Sequence, residues 1–189
     1  VGLLSCVFIL VMAAPFANAR GTIGILPIES SKHPQLAKRL TQELRSAANA
    51  HSSFSDKGAV DFSLSEVRLS FSCFDEGLVC MAQVGKTLKT DVLIWGKITQ
   101  TATSLKAKLS GVNVGDQTTF HEATYYFPDQ QSFEQNVIGA ARAFIERRPF
   151  HVKQMYSIRI ETIPSGAQVA VDGSGKGPSP QTIRLPSGR

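Results

Sequence analysis

Cys73 and Cys80 are the side chains whose type and spacing could do chemistry most directly, by forming a disulfide. Seven residues in one continuous helix span about 10 Å at 1.5 Å per residue, whereas a disulfide needs Cα atoms closer than about 7 Å. If the two are bonded, Cys73 must lie in a loop that precedes a helix and folds back onto its first turns. The alternative is two unpaired, buried thiols.

The triplet Gly85-Lys86-Thr87 is a second candidate, because it resembles the end of a phosphate-binding loop. The pattern G-x-x-x-x-G-K-[ST] needs a glycine at the position that Cys80 occupies. Such a loop also lies between a strand and a helix, whereas the apolar spacing around this triplet predicts that it lies inside a helix. We therefore interpret Lys86 as a solvent-facing lysine near a helix end and predict no nucleotide-driven activity.

The histidines and carboxylates show no catalytic or metal-ligating spacing. His121-Glu122 begins like a zinc-protease motif, but Tyr125 stands where the second histidine belongs. No G-x-S-x-G element occurs, and the histidines are isolated: His33, His51, His121 and His151. A polysaccharide hydrolase needs two carboxylates in one cleft, and no pair is recognisable among Asp61, Glu66, Asp75, Glu76, Asp91 and Glu122. We predict no catalytic residue, no cofactor and no metal, in a protein that is not an enzyme.

The charge pattern argues against nucleic-acid binding. The 189-residue chain carries a formal net charge of +5, but its basic residues are scattered, and only Lys38-Arg39 and Arg147-Arg148 are adjacent. A nucleic-acid-binding domain would cluster them on one face. The hydrophobic content of 42% is that of an ordinary globular protein, and the length suits one domain and part of another.

Residues 1–19 have the character of a signal peptide. An apolar run is followed by Ala17-Asn18-Ala19, an A-x-A cleavage site, so we expect removal between Ala19 and Arg20. The chain begins with Val1 and lacks a basic n-region, so we expect the true N-terminus to be missing. An uncleaved anchor is the alternative, although about 14 apolar residues are few for a span. Cleavage would remove Cys6 and leave an even cysteine pair in an oxidising compartment, without a membrane span.

The elements around the cysteines are predicted by spacing and caps. Asp75 is expected to cap an apolar-faced helix that carries Glu76 in its first turn, and a buried strand follows at residues 92–95. Gly96 is expected to permit a close backbone approach or a bend. Before them come a strand over residues 22–28, a helix with Pro34 in its first turn, a loop, and one helical turn at residues 65–69.

A meander is predicted after the central strand. Residues 104–114 form a strand whose alternation slips near Gly111, which indicates a bulge, and residues 118–127 return antiparallel. The segment Tyr125-Tyr126-Phe127 is interpreted as a strand end on the core, with an aromatic binding platform as the alternative. Asp129 is expected to cap a last helix, and residues 151–154 form a linker. The fold class is α+β, a mixed sheet flanked by helices, over residues 20–150.

Residues 156–189 have a different composition and predict a small all-β module. Strands are expected at residues 156–163 and 167–172, reversed at Pro164-Ser165-Gly166. Asp172-Gly173 is expected to start a second tight turn, which residues 177–180 extend, before a third strand at residues 181–185. About 35 residues without a cysteine bury little surface, so we expect marginal order in isolation.

This segment resembles a PEGA domain. The matching positions are Pro164, Gly166, Ala167, Val169, Val171, Asp172, Gly173, Gly177, Pro180, Leu185 and Gly188. Ser165 stands where the family usually has glutamate. The resemblance implies an extracytoplasmic structural or adhesive module without known chemistry. It also implies that the domain continues past Arg189, so that residues 156–189 are an incomplete PEGA module.

Residues 22–147 resemble the periplasmic α/β domain at the N-terminus of TolB and in CsgG-like lipoproteins. The resemblance is carried by the strand ILPI and the helix after it, by Cys73 and Cys80, and by residues 89–96, KTDVLIWG. It implies a non-enzymatic, periplasmic or outer-membrane-associated protein of a Gram-negative envelope. Its α/β domain would bind envelope proteins, and the PEGA module would present or space it. The alternatives are an accessory subunit of an outer-membrane secretion or assembly complex and, less favoured, an envelope polysaccharide hydrolase.

Overall fold

The structure is a computed structural model that describes residues 20–58, 62–73, 76–152 and 155–186. The first part contains β1 (Gly21–Ile25), α1 (Pro34–Ala50), β2 (Phe54–Asp56), α2 (Leu64–Phe71), α3 (Leu78–Thr87), β3 (Val92–Gln100), β4 (Leu105–Asn113), β5 (Thr118–Phe127) and α4 (Gln130–Ile145). The second part contains β6 (Met155–Ile160), β7 (Gln168–Val171), β8 (Ser174–Pro178) and β9 (Gln181–Pro186). Among these residues, no helix combines the length and the apolar character needed to cross a bilayer.

Five strands form one mixed sheet in the order β2-β1-β3-β4-β5. β1 pairs in parallel with β2 and β3, and β3, β4 and β5 form the predicted antiparallel meander. Helices lie on both faces of this sheet, which is the arrangement expected of an α+β domain. The predicted fold class is confirmed.

One face of the sheet is covered by α1 and α4. Both helices are amphipathic and place an apolar stripe on the sheet. Phe127 and Phe133 meet edge to face with ring centroids 5.0 Å apart, which locks α4 onto β5. The Asp129 carboxylate accepts a hydrogen bond of 2.6 Å from the Ser132 amide, so the predicted cap of α4 is confirmed.

The other face is covered by α2 and α3, which are shorter. Their apolar side chains pack on Leu93, Trp95 and Val112 and form a second, smaller core. α2 begins with a capping box in which Ser63 and Glu66 satisfy each other's backbone amides. The sequence analysis predicted only one helical turn here and placed Asp56 in a loop, whereas α2 has 8 residues and Asp56 ends β2. Both elements are short, and their hydrophobic patterns are weak.

The start of α3 differs from the prediction. Its N-cap is Gly77, so Glu76 precedes the helix instead of lying in the first turn. The predicted cap residue Asp75 lies outside the described residues, and a helix that begins at Leu78 does not use it as a cap. The C-cap is Leu88, which leaves Lys89 beyond the helix end. Apolar spacing identified this helix correctly, but spacing alone is a poor guide to a helix boundary.

The predicted bulge near Gly111 is present, but its extra residue belongs to β5. β4 pairs with β3 without interruption, whereas its partner on β5 jumps from His121 to Thr119 and skips Phe120. The apparent slip of the apolar pattern in β4 has another cause. Leu109 packs on the α1–α4 side and Val112 on the α2–α3 side, so β4 is buried on both faces there.

Gly96 lies where two strands approach most closely. A Cβ atom at this position would lie 2.4 Å from the Lys108 carbonyl oxygen and 2.7 Å from a Leu109 methyl carbon. The predicted close approach of the backbone is therefore confirmed.

The C-terminal strands pair differently from the predicted hairpin. β6 pairs with β9 and β7 with β8, in two separate two-stranded sheets, and β8 occupies residues assigned to a turn. The loop after β6 does not reverse the chain onto β6. Instead, Gly166 donates a backbone hydrogen bond of 2.9 Å to Ser179, and Ser179 donates one of 2.9 Å to Ala167. These bonds join the loop to the segment before β9, so the pairing is nested.

The predicted linker is partly packed. Phe150 and Val152 lie against the core of the α1–α4 side, and the Phe150 ring contacts Tyr125 edge to face at 5.9 Å. Only residues 153–154, which lie outside the described residues, separate this packed segment from β6.

Candidate functional site

The antiparallel register arranges nine side chains of β3, β4 and β5 in three rows on the α2–α3 face. The first row is Trp95, Ser110 and Glu122, the second is Lys97, Lys108 and Thr124, and the third is Thr99, Lys106 and Tyr126. Neighbours within a row lie directly opposite each other, so their Cβ atoms are about 5 Å apart. We call the six residues of the second and third rows the open face.

α3 does not reach the open face, and α2 reaches only its edge, where Ser65 lines a shallow hollow with Lys97 and Thr99. At 1.5 Å per residue the 10 residues of α3 span about 15 Å. They cover Leu93 and Val112 and the buried Trp95, and the helical layer ends there. Tyr126 is consequently 55% exposed, and Lys97, Lys108 and Thr124 are exposed as well.

A groove with a volume of about 290 Å³ runs along the boundary between the helices and the open face. Its wall is the segment that leads into α3, and its floor is the sheet. The lining residues are Glu76, Gly77, Leu78, Trp95, Lys108, Ser110, Gly111, Thr119 and Glu122. No pair of catalytic carboxylates was recognisable in the sequence, yet the fold brings Glu76 and Glu122 to the same groove.

Both carboxylates of the groove are engaged by cations. Glu122 lies 3.4 Å from the Lys108 ammonium and accepts a hydrogen bond of 3.1 Å from the Ser110 hydroxyl. Glu76 forms an ion pair with Arg68 of α2. These contacts are those of structural ion pairs that order the two sides of the groove.

The three lysines of the open face have unequal surroundings. Lys106 lies over the Tyr126 ring, 5.9 Å from its centroid, and Lys108 is paired with Glu122. Lys97 stands directly opposite Lys108, and its side chain has no ion pair or hydrogen bond within the part of the chain that the structure describes. Like charges directly opposite each other in a sheet are destabilising, so this pair is unfavourable in the free protein.

A disulfide between Cys73 and Cys80 holds the wall of the groove. Their Cα atoms are 5.6 Å apart. Cys73 is fully buried in the connection before α3, and Cys80 lies in the first turn, so the chain folds back as the spacing required. The disulfide and the Arg68–Glu76 ion pair both close this connection, which positions Gly77 and Leu78 beside the sheet.

The outer side of the wall is apolar. Leu78 is 37% exposed and Val79 is 68% exposed. They line a shallow hollow of about 590 Å³ together with Gly77, Cys80, Gln83 and Gln117. Leu78 contributes to this hollow and to the groove, so an apolar surface adjoins the polar one.

The aromatic segment at the end of β5 packs on the core through two of its three rings, whereas the alternative of an aromatic binding platform stays a prediction. Tyr125 and Phe127 point into the core, and burial raises the pKa of Tyr125 to about 12. Tyr126 points the other way and belongs to the open face. Alternation along one strand accounts for the difference.

The other predicted site residues lie as follows. Ala19 and Gly188 are outside the described residues, and Arg20 is the first residue described. Asp172 and Gly173 form the two-residue loop between β7 and β8, with φ of 47° and 76°. Both values lie in the left-handed region that such hairpin loops require, which explains the Asp-Gly pair physically. Pro164, Gly166, Ala167, Gly177 and Pro180 lie in the loops and strand ends around β7 and β8.

Gly85-Lys86-Thr87 ends α3, as the sequence predicted, and is not a loop between a strand and a helix. No cluster of three or more His, Cys, Asp or Glu side chains that could hold a metal ion occurs among the described residues. The open face itself was missed from sequence. The alternation of Lys106 and Lys108 was the available signal, but the partner residues on β3 and β5 depend on register.

Comparison with known proteins gives one family match. Residues 155–189 match the PEGA domain family. No curated protein sequence matches this chain.

Several solved structures are similar in fold. TolB from Acinetobacter baumannii is 13% identical with a TM-score of 0.47, over 84% of this chain and 37% of TolB. The LpoB C-terminal domain from Salmonella enterica is 10% identical with a TM-score of 0.41, over 61% of this chain and 88% of that domain. A hypothetical protein from Chlamydia trachomatis is 9% identical with a TM-score of 0.40, over 67% of this chain and 98% of that protein.

This chain thus spans little more than a third of the TolB structure that it resembles. TolB is also the protein to whose N-terminal domain residues 22–147 were likened from sequence. The chain carries a PEGA domain at residues 155–189, which follows a mixed α/β domain.

Proposed function

We propose that this is an exported, non-enzymatic protein of the cell envelope whose α/β domain binds another envelope protein. The PEGA domain presents or spaces the α/β domain. Residues 1–19 direct export and are removed before Arg20, and the mature chain works in the periplasm or at the outer membrane.

The open face carries this proposal. Antiparallel strands can leave one sheet face in water, as β3, β4 and β5 do beyond Trp95. There Tyr126, three lysines and two threonines form a surface that no helix covers fully. Tyrosine is enriched in protein interfaces, and Tyr126 is exposed here next to lysines, whose charges can steer an oppositely charged partner.

The disulfide supports the location. Cys73 and Cys80 are bonded, and structural disulfides persist in oxidising compartments such as the periplasm. The PEGA match at residues 155–189 supports the same location, since the family is extracytoplasmic.

The groove supports binding more than catalysis. A glycosidase needs one carboxyl group to donate a proton while a second stays ionised. In this groove Glu76 and Glu122 are each held by a basic side chain, Arg68 and Lys108.

Affinity purification of the full-length chain from its native envelope tests the proposal. We expect one partner protein to co-purify in a constant ratio and a mature N-terminus at Arg20 by mass spectrometry. Absence of any stable partner from detergent-solubilised envelope contradicts the binding function.

The same preparation tests the enzymatic alternative. We expect no turnover of purified envelope polysaccharide. Turnover that disappears in Glu122→Gln or Glu76→Gln would show that the protein is a hydrolase that uses the groove, and would overturn the proposed binding function.

A further inference from the structure

We infer that the open face binds an extended acidic segment of the partner protein, with carboxylates at alternate positions. This inference rests on the proposed function and names the chemistry of the surface that the partner offers. Three ammonium groups, Lys97, Lys106 and Lys108, recognise the carboxylates, and the Tyr126 ring lies beside them.

The charge of the open face is unbalanced in the free protein. Among the residues that the structure describes, Lys108 has one partial counter-ion, Glu122, and Lys106 contacts an aromatic ring in place of a carboxylate. Lys97 faces Lys108 across the strands and forms no ion pair within the described part of the chain. Its acidic neighbour on the other side, Glu29, accepts hydrogen bonds from Ser65 of α2. A bound carboxylate between Lys97 and Lys108 would remove the repulsion, so binding gains energy that a neutral ligand would not recover.

The spacing of the lysines selects an extended ligand. Lys106 and Lys108 are two residues apart on β4, which places their side chains about 6.8 Å apart on one face. Alternate side chains of an extended peptide repeat at the same distance. A segment that lies along β4 with carboxylates at alternate positions therefore meets both lysines in register, and Lys97 binds from the neighbouring strand.

The boundaries of the open face favour a protein segment over a membrane surface. The lysines occupy two rows on two neighbouring strands, an area of roughly 7 Å by 5 Å. Glu122 and Glu76 lie immediately beyond it in the groove and would repel a continuous anionic surface. A short acidic segment fits between these limits.

The test uses full-length protein purified with its partner from the native envelope. The triple variant Lys97→Gln, Lys106→Gln, Lys108→Gln removes the charges of the open face. The matched control Lys38→Gln, Lys86→Gln, Lys89→Gln removes three exposed charges elsewhere. We expect the open-face variant to recover at least about tenfold less partner, since each of several exposed pairs contributes modestly, and the control to recover a normal amount.

Zero-length carbodiimide coupling identifies the chemistry, because it joins an amine only to a carboxylate in direct contact. We expect links from Lys97, Lys106 or Lys108 to Asp or Glu side chains within one short segment of the partner. Complex that survives the open-face substitutions, or that links only through other lysines, overturns this inference and leaves the proposed function intact. Failure of wild-type protein to retain any partner removes the proposed function, and this inference with it.

A vesicle arm separates the membrane alternative. Wild-type protein is mixed with vesicles of phosphatidylglycerol and phosphatidylcholine at 0.15 M salt. We expect no sedimentation with the vesicles. Sedimentation that the open-face variant loses and the control variant keeps would overturn the inference in favour of an anionic lipid surface.

Discussion

Thr22 and Asp91, which are 69 residues apart, form a reciprocal hydrogen-bond pair at the start of two parallel strands. The Asp91 carboxylate accepts bonds of 2.6 Å from the Thr22 amide and 2.9 Å from its hydroxyl. The Asp91 amide donates a bond of 2.8 Å to the Thr22 carbonyl. These bonds join β1 to β3, the central strand of the sheet.

The carboxylate bonds of this pair predict a pH-dependent contribution to stability. The hydrogen bonds from Thr22 hold the pKa of Asp91 below its ordinary value of 3.8. The contribution is therefore present above pH 3.8 and is lost as the pH falls through the lower value of the folded state. We expect Asp91→Ala to lower the free energy of unfolding by about 1 kcal/mol at pH 7, in urea titrations, and by less near pH 2.

Thr22→Ala provides the control for Asp91→Ala. If the pair acts as a unit, the double variant should lose about as much free energy of unfolding as either single variant. The two losses will therefore not add. Fully additive losses, or a difference that does not change with pH, would contradict this account.

Removal of the disulfide should cost stability and loosen the groove. The closed loop is short, so we expect Cys73→Ala with Cys80→Ala to lose about 2 kcal/mol in the free energy of unfolding. Hydrogen exchange should show faster exchange at Gly77 and in the first turn of α3, because the Arg68–Glu76 ion pair alone then holds the connection. Peptide mapping without reductant checks the bond itself, and two free thiols in periplasmic protein would contradict it.

Gly96 should tolerate no side chain. A Cβ atom would lie 2.4 Å from a backbone oxygen of β4, which cannot move without breaking the ladder, so Gly96→Ala should lose about 1–3 kcal/mol. Gly115→Ala is the matched control, since its Cβ meets nothing within 4 Å. Equal urea midpoints for the two variants would show that β3 and β4 are farther apart than described.

Tyr125→Phe should be neutral or stabilising. The Tyr125 hydroxyl is buried without a hydrogen-bond partner among the described residues, so removing it costs no bond and avoids desolvation of a polar group. We expect the free energy of unfolding to stay equal or rise by up to about 1 kcal/mol. Tyr126→Phe, which changes an exposed ring, is the control.

The same substitution carries a pH signature. The pKa of Tyr125 is raised to about 12, so between pH 10 and 12 the unfolded chain ionises while the folded chain does not. Stability should fall over this range in the wild-type protein and fall less in Tyr125→Phe. A clear loss of stability in Tyr125→Phe at neutral pH would mean that the hydroxyl has a partner.

Much of the architecture follows from local sequence rules. Apolar spacing identified α1, α3 and α4, and the cap at Asp129 located the start of α4. Two apolar alternating segments predicted the meander of β4 and β5. The Asp172-Gly173 pair predicted a tight turn because few other residues adopt left-handed backbone angles. Each of these signals lies within one element, where neighbouring residues decide the conformation.

Tertiary structure decided which elements meet and in what register. The local sequence predicted a hairpin between residues 156–163 and residues 167–172. In the structure β6 pairs with β9 instead, and β7 and β8, which lie between them in the sequence, pair with each other. Local turn chemistry cannot distinguish these pairings, since Pro164 and Gly166 suit a loop in either arrangement. The choice depends on which apolar faces are buried together, which is a property of the whole module.

The candidate site divides in the same way. Sequence alone determined that Cys73 had to lie in a loop before α3 if it was bonded to Cys80, because helix rise and disulfide reach fix that geometry. Only the register of three strands put Lys97 opposite Lys108 and Lys106 beside Tyr126. Only the tertiary packing of α2 and α3 on Leu93, Trp95 and Val112 left most of those side chains outside the helical layer, because a helix covers only the part of the sheet that it contacts.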